Sequence, residues 1–139
     1  MIILDTNVVS ETMRPVPSRK VLDWYRSRQR HHLYTTTITV AETMSGIMLL
    51  PAGARRAGME RDAAETFAED FDGRILAFDM AAAEAYASLV SRRRAMGRPV
   101  KPLDAQIAAI ARANRMAVAT RNVDDFAGCG VDLINPWEA

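Results

Sequence analysis

At 139 residues, with 49% apolar and 25% charged side chains, the chain has the size and balance of one ordinary folded domain and not of a disordered segment. Its 18 Lys and Arg nearly cancel its 17 Asp and Glu, so the net charge of +1 says nothing about nucleic acid and only the distribution of charge can. A single cysteine, Cys129, excludes an internal disulfide and a Cys-based zinc site, and His31 and His32 are too few and too close for a histidine cage.

In chain order, Ile2-Ile3-Leu4-Asp5 reads as a buried strand ending in a carboxylate, followed by a helical pattern from Val8 that stops before Pro15 and Pro17. Ser18 is placed to cap a second helix with Val21, Leu22 and Tyr25 on one face. "HLYTTTIT" is β-branched and aromatic and predicts a strand. Thr39 then opens a helix that runs to Pro51, and residues 54–71 carry helix formers up to Gly73. "RILAF" predicts another strand, and Asp79 caps an alanine-rich helix that reaches Gly97. After the loop "GRPVKP" comes a helix with Leu103, Ile107 and Ile110 on one stripe. "MAVAT" is an apolar strand, "RNVDDFAGCG" a loop or short helix, and "VDLIN" the last strand. Strands alternating with helices predict one domain: a parallel α/β sheet with helices on both faces. The N-terminus lacks a basic leader, and no stretch approaches the roughly 20 apolar residues of a membrane span. The cytoplasm is the expected compartment.

In open sheets of this kind ligands bind beyond the carboxyl ends of the strands. Asp5 ends the first strand. Glu42 and Asp104 fall in the first turns of their helices, and Asn122, Asp124 and Asp125 follow "MAVAT". Each has an ordinary structural explanation. Thr39-x-x-Glu42 matches a capping box worth about 1 kcal/mol. Asp104 suits a helix N-terminus on dipole grounds, Asp124 and Asp125 suit a turn, and Asp5 either caps the turn after it or holds a ligand at the strand end. Collected on one rim they are a different matter. Two carboxylates about 4 Å apart at an effective dielectric near 20 repel by about 4 kcal/mol. No Lys or Arg adjoins Asp5, Glu42 or Asp104 in the chain. A divalent cation is then the natural counter-charge, and all-oxygen ligands suit Mg²⁺ or Mn²⁺.

"ILDTNVVSE", "TVAE", "KPLDAQIAAIA" and "VATRNVDDF…INPW" occur in an order that resembles the motifs of PIN-domain toxins of the VapC and FitB type, over essentially the whole chain. The resemblance implies a three-layer α/β/α domain with a central parallel sheet. It also implies an Mg²⁺- or Mn²⁺-dependent endoribonuclease that is the toxin of a type II toxin–antitoxin pair. The antitoxin would be a separate chain that blocks the active site and binds operator DNA, and the toxin a homodimer. Carried over by position, the catalytic and metal-binding acids are Asp5, Glu42, Asp104 and Asp125, with Asp124 the weaker candidate for the last. Many members carry Asp where this chain has Asn122, which has no charge to offer a second metal. Thr6, Asn7, Thr120 and Asn122 are the expected supporting residues, orienting water or the carboxylates.

RNA needs cations on its phosphates, and Arg98 and Lys101 are the candidates just ahead of Asp104. Arg92, Arg93 and Arg94 are expected to be solvated in the last turn of their helix. Trp24, Tyr25 and Trp137 could stack on bases but are expected to pack in the core or against a partner, and Met44 and Met48 suit an apolar groove or a dimer surface as well as a core. Two other readings remain open. One is a non-catalytic PIN-like module acting with its antitoxin in a DNA-bound complex. The other is a Mg²⁺-dependent phosphohydrolase of small esters, although no P-loop or GxGxxG is present.

Overall fold

Successive side chains of a strand point to opposite faces, and the first strand already shows that both faces are covered. In the computed structural model, which describes residues 1–139, Ile2 and Leu4 of β1 (Ile2–Leu4) enter one hydrophobic cluster and Ile3 the other. The remaining strands are β2 (Leu33–Thr36), β3 (Ile75–Leu76), β4 (Ala117–Ala119) and β5 (Leu133–Ile134). They form one sheet in the order β3-β2-β1-β4-β5, with every pairing parallel. Parallel neighbours need crossovers, and seven helices supply them: α1 (Thr6–Thr12), α2 (Arg19–Arg26), α3 (Thr37–Met48), α4 (Ala54–Glu65), α5 (Met80–Ala95), α6 (Pro102–Ala113) and α7 (Val123–Phe126).

One face of the sheet packs against Val8 and Val9 of α1, Val21 and Trp24 of α2, Ile47 of α3 and Ala63 of α4. The other packs against Ala82 and Leu89 of α5 and the run Ala105–Ala111 of α6. The result is the expected α/β/α sandwich. The strand order places a topological switch point at β1 and β4, since the chain moves from β1 towards β2 on one side and from β4 towards β5 on the other. Such a point opens a crevice at the carboxyl ends of the two strands.

Several local expectations are corrected. Helix α1 begins at Thr6, two residues before Val8, because Asp5 is its N-cap and accepts from the Thr6 amide at 2.8 Å. Ser18 flanks α2 without a side-chain cap; instead its amide donates to the buried Glu11 carboxylate at 2.8 Å. Helix α3 starts at Thr37, not Thr39, since Thr36 Oγ1 accepts from the Thr39 amide at 3.2 Å. The Thr39–Glu42 capping box is therefore not formed, and Glu42 lies in the second turn with its carboxylate free of capping. The strand within "RILAF" is only Ile75–Leu76, and that within "VDLIN" only Leu133–Ile134. Leu103 is 46% exposed and leaves the stripe with Ile107 and Ile110. Small alanines instead let α6 be buried almost all round, wedged between the sheet and α5. No helix is long and apolar enough to cross a membrane.

Candidate active site

The crevice at the switch point is built on Asp5, which β1 delivers and α1 caps. The carboxylate is almost fully buried, and both its oxygens are occupied. Oδ1 accepts from the Thr6 amide and Oδ2 from the Thr120 hydroxyl at 2.8 Å. Thr120 follows β4 directly. Its hydroxyl oxygen also accepts from the Asn122 amide at 3.1 Å and from Asn7 Nδ2 at 3.4 Å. Asn7 Oδ1 in turn accepts from the Arg121 amide at 3.3 Å. The ends of β1 and β4 are thus joined through Thr120, which spends its one proton on Asp5 and its lone pairs on two donors.

Glu42 reaches the same crevice from α3. Its Oε1 accepts from Thr6 Oγ1 at 2.9 Å, and Thr6 Oγ1 lies 3.0 Å from Thr39 Oγ1. Since Thr6 gives its proton to Glu42, Thr39 donates to Thr6, and a half-buried relay Thr39–Thr6–Glu42 fixes the carboxylate. Thr39 had no assigned part in the site; its hydroxyl works here and not in a cap.

Asp104 sits in the first turn of α6, where no side chain caps the helix. Asp125 sits in α7, whose N-cap Asn122 makes no side-chain capping bond. The four acids act on one another. Burial pushes Asp5 up from 3.8 to about 6; the hydrogen bonds from Thr120 and Thr6 work against this, and the charges of Asp104 and Glu42 add to it. Asp104 is also raised, first by burial, then by Asp125 and Glu42, with Lys101 opposing. No Lys or Arg forms an ion pair with any of the four, all three ion pairs of the molecule lying elsewhere. Asp124 is exposed, and its carbonyl accepts from Arg98 at 3.3 Å.

No three of these acids close into a ready-made ligand cage. The charges of Glu42 and Asp104 nonetheless reach Asp5, and those of Asp125 and Glu42 reach Asp104, so the acids repel one another with no counter-ion in an ion pair with any of them. The donor set contains only carboxylate, hydroxyl and amide oxygens, and that chemistry fits Mg²⁺ or Mn²⁺ and not zinc.

Of the expected cationic residues, Arg98 and Lys101 are exposed beside the crevice. Arg93 departs from expectation. It is 3% exposed, donating from Nε to the Arg98 carbonyl at 2.6 Å and from Nη1 to the Asp125 and Ala127 carbonyls at 2.9 and 2.8 Å. These carbonyls lie in the loop after α5, in α7 and just beyond α7, where no backbone amide reaches them, and a long last-turn side chain does. Arg93 therefore pins both the Arg98 loop and the backbone that carries Asp125. Arg92 and Arg94 are exposed, as expected. Trp24 is buried, while Trp137 is half-buried with the Arg121 guanidinium 5.1 Å from its ring centre. Met44 and Met48 are exposed and line a groove of about 420 Å³ between α3 and α4. A second groove of about 440 Å³, bordered by Met13, Ile47 and Met59, opens onto Thr6 and Glu42.

The model of the family described as "PIN domain" matches residues 2–128. The chain is 46% identical over its full length to the plasmid stability protein StbB of Pseudomonas syringae pv. tomato, covering 100% of both chains. It is 40% identical over 138 residues, 99% of each chain, to the VapC ribonuclease Y4jK of Sinorhizobium fredii. Its fold matches a chain in the crystal structure of FitAcB from Neisseria gonorrhoeae with a TM-score of 0.94, at 37% identity and with full coverage of both chains.

Proposed function

This chain belongs to the PIN-domain family, and from that premise we propose that it is a divalent-metal-dependent endoribonuclease, the toxin of a toxin–antitoxin pair. The observation that supports the reading is that the charges of Asp104 and Glu42 act on Asp5, and those of Asp125 and Glu42 on Asp104, with no Lys or Arg in an ion pair with any of the four. The Y4jK relative is named a VapC ribonuclease, which supports the RNA-cleaving part of the reading.

Asp5, Glu42, Asp104 and Asp125 are the residues that would hold Mg²⁺ or Mn²⁺. Such an ion, when bound, offsets charge on a phosphate and lowers the pKa of a water molecule. The chain's own residues do the rest. Thr120 orients Asp5 and stabilises its ionised form, and Thr6 holds Glu42 in place. Asn7 and Asn122 complete the hydrogen-bonding around Thr120 and are placed to orient water. Asn122 carries no charge, so Asp125 is the fourth acid. Arg98 and Lys101, exposed beside the crevice, draw RNA phosphates towards it.

The antitoxin is a separate chain, and the groove beside Thr6 and Glu42, bordered by Met13 and Met59, suits an apolar segment that would close the crevice from the side. The working form is a single-domain toxin that acts as a homodimer in the cytoplasm.

The test is cleavage of a mixed cellular RNA pool, with ends mapped, by wild type with Mn²⁺ or Mg²⁺, wild type with EDTA, and Asp5→Asn with metal. Defined new ends in the first lane alone support the reading. Equal cutting by Asp5→Asn, or cutting in EDTA, refutes this active site. Absence of cutting in all lanes favours the module that works only through its partner.

A further inference from the structure

At the pole opposite the acids, where β4 begins and the chain approaches β5, a cavity of about 570 Å³ is lined by Arg92, Arg112, Arg115, Gly128, Gly130 and Asp132, among others. Three guanidinium groups there face one carboxylate, and none of the three is in an ion pair. Arg92 and Arg112 lie in the last turns of α5 and α6, where a cation complements the helix dipole. That accounts for each singly but not for their convergence, and two further observations are left over.

Arg112 Nη1 is buried without any hydrogen-bond partner. A charged donor taken from water and given nothing in return is an unmet demand for an acceptor. Arg115 has φ 55°, the one non-glycine residue with a left-handed backbone. It occupies the glycine position of a Schellman ending to α6. Its amide donates to the Arg112 carbonyl at 3.2 Å, and the Met116 amide donates to that of Ala111 at 2.9 Å. A long cationic side chain at a position that glycine would fill without strain is a feature that asks for a use. Gly128 and Gly130, both with positive φ, bring backbone amides that donate to no backbone carbonyl.

We propose that this cavity is an anion site that takes a phosphate group, carried by a free nucleotide or by an RNA strand. Guanidinium forks match pairs of phosphate oxygens, and a tetrahedral dianion supplies enough acceptors for several arginines at once. Asp132 is outnumbered three to one. The site does not depend on the nuclease reading, because it lies at the other end of β4 from Thr120.

Thermal unfolding of the full chain tests it, with inorganic pyrophosphate titrated against sodium chloride at matched ionic strength. EDTA is present throughout, so that no divalent ion recruits phosphate to the acids. Pyrophosphate should raise the wild-type Tm where chloride does not. Arg115→Gly, which relaxes the backbone, should raise the ligand-free Tm yet weaken pyrophosphate binding by about tenfold. Arg92→Gln, at an exposed position, should weaken binding similarly with the ligand-free Tm unchanged. Absence of a pyrophosphate-specific rise in wild type overturns the proposal, as does an equal rise in both variants. Anisotropy of a labelled RNA oligonucleotide in the same buffer identifies the source. Parallel weakening in the variants means an RNA strand, and unchanged oligonucleotide binding beside weakened pyrophosphate binding means a free nucleotide.

Discussion

Thr120 Oγ1 donates to Asp5 Oδ2 at 2.8 Å, a bond between residues 115 positions apart that ties the ends of β4 and β1 at the mouth of the crevice. It is the bond through which the second strand of the switch point controls the charge of the first.

Thr120→Val removes this donor and leaves Asn7 and the Asn122 amide without their acceptor, at nearly constant shape. The cost to stability should be about 1–3 kcal/mol. Thr120 favours the ionised form of Asp5, so its loss moves Asp5 further up. The acid limb of a pH–rate profile for RNA cleavage should therefore shift to higher pH in the variant. An unmoved limb would show that Asp5 ionisation does not govern the rate.

Asp5 should also destabilise the metal-free protein. Its carboxyl stands at about 6 when folded against an ordinary 3.8, mainly through burial. The folded state thus holds the proton more tightly than the unfolded chain. Stability is highest below the ordinary value and falls as pH rises through the folded one, by roughly 3 kcal/mol in all. In EDTA, Asp5→Asn should melt above wild type near neutral pH, and the difference should shrink towards about pH 4. A variant that melts lower at neutral pH would mark Asp5 as chiefly a helix cap.

Divalent ions should reverse that order. Mn²⁺ in about hundredfold excess over its Kd should stabilise wild type by about 2.7 kcal/mol, read as a concentration-dependent rise in Tm. Asp5→Asn and Asp104→Asn should show little or none of it. A rise of equal size in both variants would place the ion elsewhere on the molecule.

Arg93→Ala removes the donor of three carbonyls in a buried setting. A loss of about 3 kcal/mol or more is expected in denaturant unfolding, against less than about 0.5 kcal/mol for Arg94→Ala on the exposed side of the same turn. Cleavage should fall as well, since the same side chain holds the Asp125 backbone. Equal, small effects at the two positions would contradict the buried hydrogen bonds.

The layered fold was legible because its signals are local. Ile2-Ile3-Leu4 and "MAVAT" are apolar without alternation, as strands covered on both faces must be, and Asp79 precedes its helix with nothing competing for the cap. Ambiguity entered where neighbouring residues had equal claims. In "YTTTIT" Thr36 and Thr39 are equally able to cap, and only β2's pairing, which runs through Thr36 to Leu76 of β3, decides that the strand ends there and that Thr36 caps. Arg92, Arg93 and Arg94 are indistinguishable in the chain. The turn of α5 against the loop after α7 selects Arg93 for burial.

By itself the sequence determined the alternation of strands and helices, the parallel sheet and the short set of acids at its strand ends, since hydrophobic period and chain position are properties of the chain. Only the tertiary structure decided that Thr39 serves Thr6 and Glu42, that Thr120 joins Asp5 to Asn7, that Arg93 is an interior tether, and that Arg92, Arg112 and Arg115 meet at the far pole. The first three depend on which distant donors and acceptors are brought within about 3 Å of one another, the last on which helix ends the fold sets side by side, and no local pattern encodes either meeting.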